Sequence, residues 1–162
     1  MQRNEFHFAT VDIPYETARR LMRDDPARLL AACLDGTSQN RDETSGILDV
    51  EVDGVILGAD VTLEIGDFDE VTEPLPLSRR EIGWRAAERR GFFPALAGVL
   101  EVFPVGRART QVAFTSHYRP PLKAVGALVD TVYLHRIADE CLERFFGRLV
   151  ESLEKVGSKS RA

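Results

Sequence analysis

The Asp53-Gly54 dipeptide constrains this chain more than any other pair of residues. A tight type I′ turn needs positive φ at both central positions, and Asp-Gly is among the few pairs that accept it. Such a turn sets Val52 opposite Val55, Val50 opposite Leu57 and Leu48 opposite Ala59. Carried onward with period two, the same parity puts Val61, Leu63 and Ile65 on that face. Asp49, Glu51, Asp60, Thr62 and Glu64 fall on the other, with Ile56 the exception. A one-residue slip would reverse every position, so the pattern predicts a hairpin with one apolar face.

The rest of the chain is read outward from that hairpin. Glu5 to Ile13 predicts a strand in which Phe6 and Phe8 alternate with His7 and Ala9. Pro14 suits the first turn of a helix continuing from Thr17 to Arg23, and Asp25-Pro26 starts a second through Leu29, Leu30 and Leu34, stopped by Gly36. Thr37 to Ser45 is polar and reads as a loop, as does the stretch around Asp67 to Pro76. The next strand offers Ile82, Trp84 and Ala86 to one face and Arg79, Glu81, Arg85 and Arg89 to the other. Two further strands flank a three-residue turn, Val105 to Arg107, with Thr110, Val112, Phe114, Ser116 and Tyr118 inward and Phe103 outward. Pro120-Pro121 ends the sheet, since neither residue donates to a ladder.

From about Ala124 to Lys155 one long helix is predicted. Leu134, Ala138, Cys141, Phe145 and Leu149 line one side, and Leu142, Phe146, Val150 and Leu153 widen the stripe. His135–Asp139, Arg136–Glu140, Glu140–Arg144 and Glu151–Lys155 form i,i+4 pairs on the wet side. Gly147 interrupts the helix either for a close backbone approach or by simple tolerance. The chain thus reads as α+β, one domain over residues 1–156 with a frayed tail at 157–162. A one-layer sheet with an apolar face must be covered, and only this helix is large enough. One rod cannot fill a curved sheet, so the remaining space is where a ligand would sit.

Charge and motif content exclude several functions. Net charge is −5 with 21 basic and 26 acidic residues, unlike a domain that neutralises phosphates, so no nucleic-acid partner is expected. No apolar run of about 18 residues predicts a membrane span. The opening MQRNEFHF has no apolar core of a signal peptide, and Cys33 and Cys141 stand in no CxxC pair, so a cytoplasmic protein with free thiols is expected. No GxGxxG, Walker A, GxSxG or HExxH occurs, and no cofactor is called for. His135 and Asp139 lie one helical turn apart, but two ligands fall short of a zinc site. Asp67, Asp69, Glu70 and Glu73 match no cation-binding loop and read as a solvated hairpin end.

Arg79, Arg80, Arg85, Arg89 and Arg90 suggest an anion site. Residues 1–78, however, hold 6 basic and 17 acidic residues (net −11) and residues 79–162 hold 15 and 9 (net +6). Cross-strand ion pairs between the Asp60, Glu64 row and the Arg79, Arg85 row explain that asymmetry more simply.

In element order and motif the chain resembles the START-related helix-grip superfamily, also called SRPBCC. The resemblance runs from Phe6 to Leu153 and is sharpest at Gly98-Val99-Leu100-Glu101-Val102, Pro104, Gly106 and Thr110. It continues through Tyr118-Arg119-Pro120-Pro121-Leu122, Gly126, Asp130, Arg136 and Ala138, similar to bacterial polyketide-cyclase-like members. The resemblance implies a helix-grip fold, a curved antiparallel sheet around the C-terminal helix, with a hydrophobic cavity between them. It carries no universal catalytic motif, so it informs fold rather than reaction.

The candidate cavity wall comprises Leu63, Trp84, Val112, Phe114, Tyr118, Cys141 and Phe145, with plain core packing as the alternative role for each. Tyr118, Ser116 and Thr110 add hydroxyls that could orient a ligand. His117 has the opposite parity and is not a general base for this face. Three functions follow. The first is binding or transport of a lipid-like or polycyclic molecule without catalysis. The second is a polyketide cyclase or dehydratase in which Tyr118 handles a proton. The third is a protein-interaction module. A homodimer is compatible with each.

Overall fold

The computed structural model describes residues 3–86, 95–119 and 131–160. In chain order the elements are β1 (Arg3–Val11), α1 (Tyr15–Asp24), α2 (Pro26–Ala31), β2 (Asp35–Gln39), β3 (Glu43–Val52), β4 (Val55–Val71), β5 (Leu77–Ala86), β6 (Ala95–Pro104), β7 (Thr110–Arg119) and α3 (Thr131–Ser160). The seven strands form one antiparallel sheet in the order β1-β7-β6-β5-β4-β3-β2. The expected helix start near Ala124, Pro120-Pro121, Arg89 and Arg90 lie outside the described residues.

The β3–β4 hairpin has the predicted register, with Val52 opposite Val55, Val50 opposite Leu57 and Leu48 opposite Ala59. Asp53 and Gly54 both carry positive φ, 52° and 78°, as a type I′ turn requires. Leu48, Val50, Ala59, Val61 and Leu63 are buried on the inner face, while Ile56 is exposed.

The sheet curls around α3. Between β1 and β3 lie five strand spacings of about 4.8 Å, so a flat sheet would hold them about 24 Å apart, beyond the reach of one helix about 10 Å across. Yet α3 touches β1, β7 and β3. Phe146 stacks on His7 of β1 at 5.7 Å, while Arg148 grips Asp35 of β2 at 2.9 Å and Arg136 reaches Asp53 at the hairpin tip at 2.9 Å. Ile137, Ala138, Cys141, Leu142, Phe145, Phe146, Leu149 and Leu153 are buried along α3.

Several local expectations are corrected. Of the expected loop from Thr37 to Ser45, residues 37–39 belong to an edge strand, β2, and residues 43–45 to β3. All five residues of β2 are exposed, so no apolar alternation announces it, and only backbone pairing with β3 makes it a strand. Gly36, at φ 59°, sits within β2 rather than capping α2, which ends at Ala31.

The strand β4 runs to Val71, further than expected, because a bulge between Ile65 and Phe68 inserts one residue and resets its parity. Phe68 and Glu70 thereby face inward. The β6–β7 loop is 105–109, two residues longer than expected, so Val102 pairs with Val112 and Leu100 with Phe114. A shift of two keeps the same face.

At the C-terminus α3 continues through Ser160, where residues 157–160 were expected to fray. Gly157 is buried against β1's exit: a Cβ there would overlap Ile13 and press on the Asp12 carbonyl. Nothing lies within 4 Å of the position a Cβ would take at Gly147, so that glycine is tolerance rather than close approach.

Candidate functional site

The inner face of the sheet is a grid set by register. Tyr118, Leu96, Trp84 and Leu63 form one cross-strand row, and Ser116, Gly98, Ile82 and Ile65 form the next. Phe114, Leu100, Arg80 and Phe68 make the third. Gly98 is what lets the third row lean into the second. A Cβ there would stand 2.6 Å from Cζ of Phe114, so the missing side chain makes room for the phenyl ring across β6.

All seven wall candidates are buried: Leu63, Trp84, Val112, Phe114, Tyr118, Cys141 and Phe145. Phe145 is the hub, with the Trp84 ring edge-on at 5.9 Å and the Phe114 ring at 5.6 Å. Cys141 lies one helical turn before it, and Val112 sits further along β7. Grooves delimited by described residues also lie away from this interior. One of about 500 Å³ crosses the outer sheet face between Glu64, Glu81 and His117, and another lies between Ile56 and Glu140.

The polar atoms of the inner face divide into two groups. Thr110 donates to the Ile13 carbonyl at 2.7 Å, Thr44 to the Ala27 carbonyl at 3.2 Å, and Ser78 bonds Tyr15 at 2.7 Å. These hydroxyls fasten α1, α2 and their flanking turns to the sheet, so Thr110 has a structural task rather than the expected ligand-orienting one. Nε1 of Trp84 and Oγ of Ser116 are buried with no partner. Groups of that kind are rare in folded proteins and cost free energy where they stand.

Tyr118 and His135 supply the contact that the sequence missed. The phenolic oxygen lies 2.7 Å from Nδ1 of His135, with the rings edge-on at 5.5 Å. Helical periodicity had placed His135 on the wet side beside Asp139, and only the tertiary fold turns it to the sheet. His117, by contrast, is exposed on the outer face and bonds Asn4 at 2.7 Å, as its parity predicts.

The described members of the arginine cluster, Arg79, Arg80 and Arg85, are dispersed rather than forming an anion site. Arg85 pairs with Glu64 at 3.1 Å and Glu43 at 3.0 Å on the outer face, and Arg79 with Glu101 at 2.8 Å instead of the Asp60, Glu64 row. Arg80 faces inward. It donates to the last carbonyls of α1, Met22 at 2.7 Å and Arg23 at 3.0 Å, and to Gly66 in the bulge at 3.0 Å, over the Phe68 ring. Desolvation lowers its pKa, but a guanidinium is so strong a base that it stays charged. Burial pushes the Cys141 and Cys33 thiols up to about 12, so neither is a thiolate nucleophile near neutral pH. Among the described residues no cluster of three His, Cys, Asp or Glu could hold a metal ion, and no helix is long and apolar enough to cross a membrane.

No family model and no curated protein matches the sequence. Solved structures do match. The Zhui aromatase/cyclase from Streptomyces sp. R1128 superimposes with a TM-score of 0.58 at 17% identity, covering 100% of this chain and 97% of that one. A START superfamily protein from Mycobacterium smegmatis gives 0.55 at 14% identity, covering 94% and 98%. The ginseng major latex-like protein 151 from Panax ginseng gives 0.53 at 13%, covering 96% and 97%. Identities this low establish a shared fold: a long helix held in a curved antiparallel sheet.

Proposed function

We propose, from the helix-grip fold that this chain shares with START-related (SRPBCC) proteins, that it holds a hydrophobic small molecule between its sheet and α3. The observation that carries this reading is the pair of buried atoms with no partner, Nε1 of Trp84 and Oγ of Ser116, on a face otherwise of apolar and aromatic groups. A few convergent polar groups on an apolar wall are the pattern of a small-molecule site. Leu63, Trp84, Phe114, Tyr118 and Phe145 supply contact area, with Val112 and Cys141 completing the wall. The test is native mass spectrometry of freshly purified protein. An adduct that leaves on denaturation is the expected result. A clean apo mass, together with no binding from a panel of fatty acids, sterols and polycyclic aromatics, overturns the reading.

The Tyr118–His135 pair favours a second reading, a cyclase or dehydratase working in the same space. A phenol bonded to an imidazole is a proton donor and acceptor in one unit, and a folded reactive chain laid against it would be positioned for proton transfer. The aromatase/cyclase among the structural neighbours accords with this reading. Loss of turnover in Tyr118→Phe with ligand affinity retained separates catalysis from binding.

A further inference from the structure

We infer that the open edge of β3, at Asp49 and Glu51, takes up an extended basic segment of a partner protein as an added strand. Val52 and Val55 flank the two-residue turn as its closing hydrogen-bonded pair. Every second pair along an antiparallel ladder is of that kind, so Val50 bonds Leu57, while the N–H and C=O of Asp49 and Glu51 point away from β4. The neighbour on that side is β2, which pairs with β3 only at Thr44, Ser45 and Ile47. Among the described residues no strand lies beyond Asp49 and Glu51. A groove of about 260 Å³ runs along them instead, lined also by Val50, Ile56, Glu140 and Arg144.

The groove is closed at both ends. Arg136, Glu140, Arg144 and Arg148 form one i,i+4 ridge of α3. Its first member holds Asp53 at the hairpin tip at 2.9 Å, and its last holds Asp35, the β2 residue opposite Ile47, also at 2.9 Å. From Arg136 to Arg148 the helix rises about 18 Å, and from Ile47 to Asp53 the strand runs about 20 Å. Helix and strand edge therefore lie side by side between two ion pairs, a span that suits a strand of about five residues.

Charge selects the occupant. Asp49 and Glu51 are exposed on the outer face. Two copies of this edge would set these carboxylates against one another, and like charges placed opposite each other destabilise a strand pair. Lys or Arg opposite Asp49 and Glu51 makes favourable cross-strand pairs instead. The alternate side chains of the added strand turn towards Glu140 and Arg144, where a hydroxyl can donate to the first and accept from the second. Since β2 runs antiparallel to β3, the added strand continues its line in the same direction. Main-chain bonds then supply affinity and alternate side chains supply selectivity.

The experiment titrates the full chain with three acetylated, amidated peptides: Thr-Lys-Thr-Lys-Thr, Thr-Glu-Thr-Glu-Thr, and the basic peptide N-methylated at both lysines. The N-methyl form keeps the charge but lacks the two donors that would reach β3. The expected result is binding of the basic peptide, with each of the other two about tenfold weaker. On saturation the amide protons of Asp49 and Glu51 should exchange with solvent more slowly, while that of Val50, already bonded to Leu57, keeps its rate. The double variant Asp49→Lys, Glu51→Lys changes two exposed side chains and should reverse the preference to the acidic peptide. Equal affinity for the basic and N-methylated peptides, or unslowed exchange at Asp49 and Glu51, overturns strand addition. A basic preference that survives the charge reversal overturns the selection by these carboxylates. Self-association of the wild type that protects the same two amides gives the edge to a second copy and overturns the partner assignment. No binding of any peptide overturns the whole proposal.

Discussion

The hydroxyl of Tyr118 on the last strand meets Nδ1 of His135 on the long helix at 2.7 Å. The bond joins sheet to helix near the start of α3, where Tyr118 is 1% exposed and His135 half-buried. Tyr118→Phe removes it while keeping the ring. The expected cost is about 1 kcal/mol, because His135 keeps access to water for its orphaned nitrogen. Urea unfolding followed by circular dichroism reads the loss, and an unchanged midpoint would show that the bond contributes nothing net.

Phe145→Ala should cost about 3–5 kcal/mol, since the ring is fully buried and contacts both Trp84 and Phe114. Emission from Trp84 should shift as well, because its edge-on neighbour is gone. A thermal melt within a degree or two of wild type contradicts the packing described for α3.

Two glycines of the same helix should respond with opposite signs. Gly147→Ala meets open space and should stabilise by about 1 kcal/mol through helix propensity. Gly157→Ala drives a methyl into Ile13 and the Asp12 carbonyl, and should destabilise despite the same propensity gain. Stabilisation by both would mean that the last turns of α3 do not pack on the exit of β1.

The thiols give a pH dependence with a definite sign. Cys33 and Cys141 sit at about 12 in the native state against 9.0 for a free thiol. Above pH 9 the unfolded chain releases those protons while the native chain keeps them, so the contribution is full below pH 9 and is lost as pH rises towards 12. Each thiol adds a slope of up to about 1.4 kcal/mol per pH unit. Urea midpoints from pH 8 to 10.5 should therefore fall less steeply in Cys141→Ala than in wild type. Parallel slopes would place Cys141 in contact with water.

Where alternation and one turn decide the outcome, the sequence is informative. Asp53-Gly54 set the register of β3 on β4, and parity alone assigned Leu63, Trp84, Phe114 and Tyr118 to the buried face. Devices that leave no periodic trace were missed. The strand β2 carries only exposed residues, and the bulge after Ile65 changes parity without a hydrophobic cue. Arg80 reads as one of five arginines suggesting an anion site until α1 folds back and presents its carbonyls. His135 looks solvated because helical spacing sees its own helix and not the strand opposite. The burial of these side chains was therefore legible, and the polar features among them were not, since those depend on which atoms the tertiary fold leaves without partners.

The pairing of β1 with β7, Phe6 opposite Thr115 and Phe8 opposite Ala113, has a consequence for biosynthesis. Within this sheet β1 is made first and pairs with β7, which is made last, so it waits through the synthesis of the strands between them. During that interval Phe6 and Phe8, still 59% and 66% exposed when folding is complete, project from an unpaired edge. Contacts spanning more than a hundred residues also slow the final closure. Nascent chains halted before β7 should thus be captured by chaperones that bind extended aromatic segments, and chains extended past α3 should not.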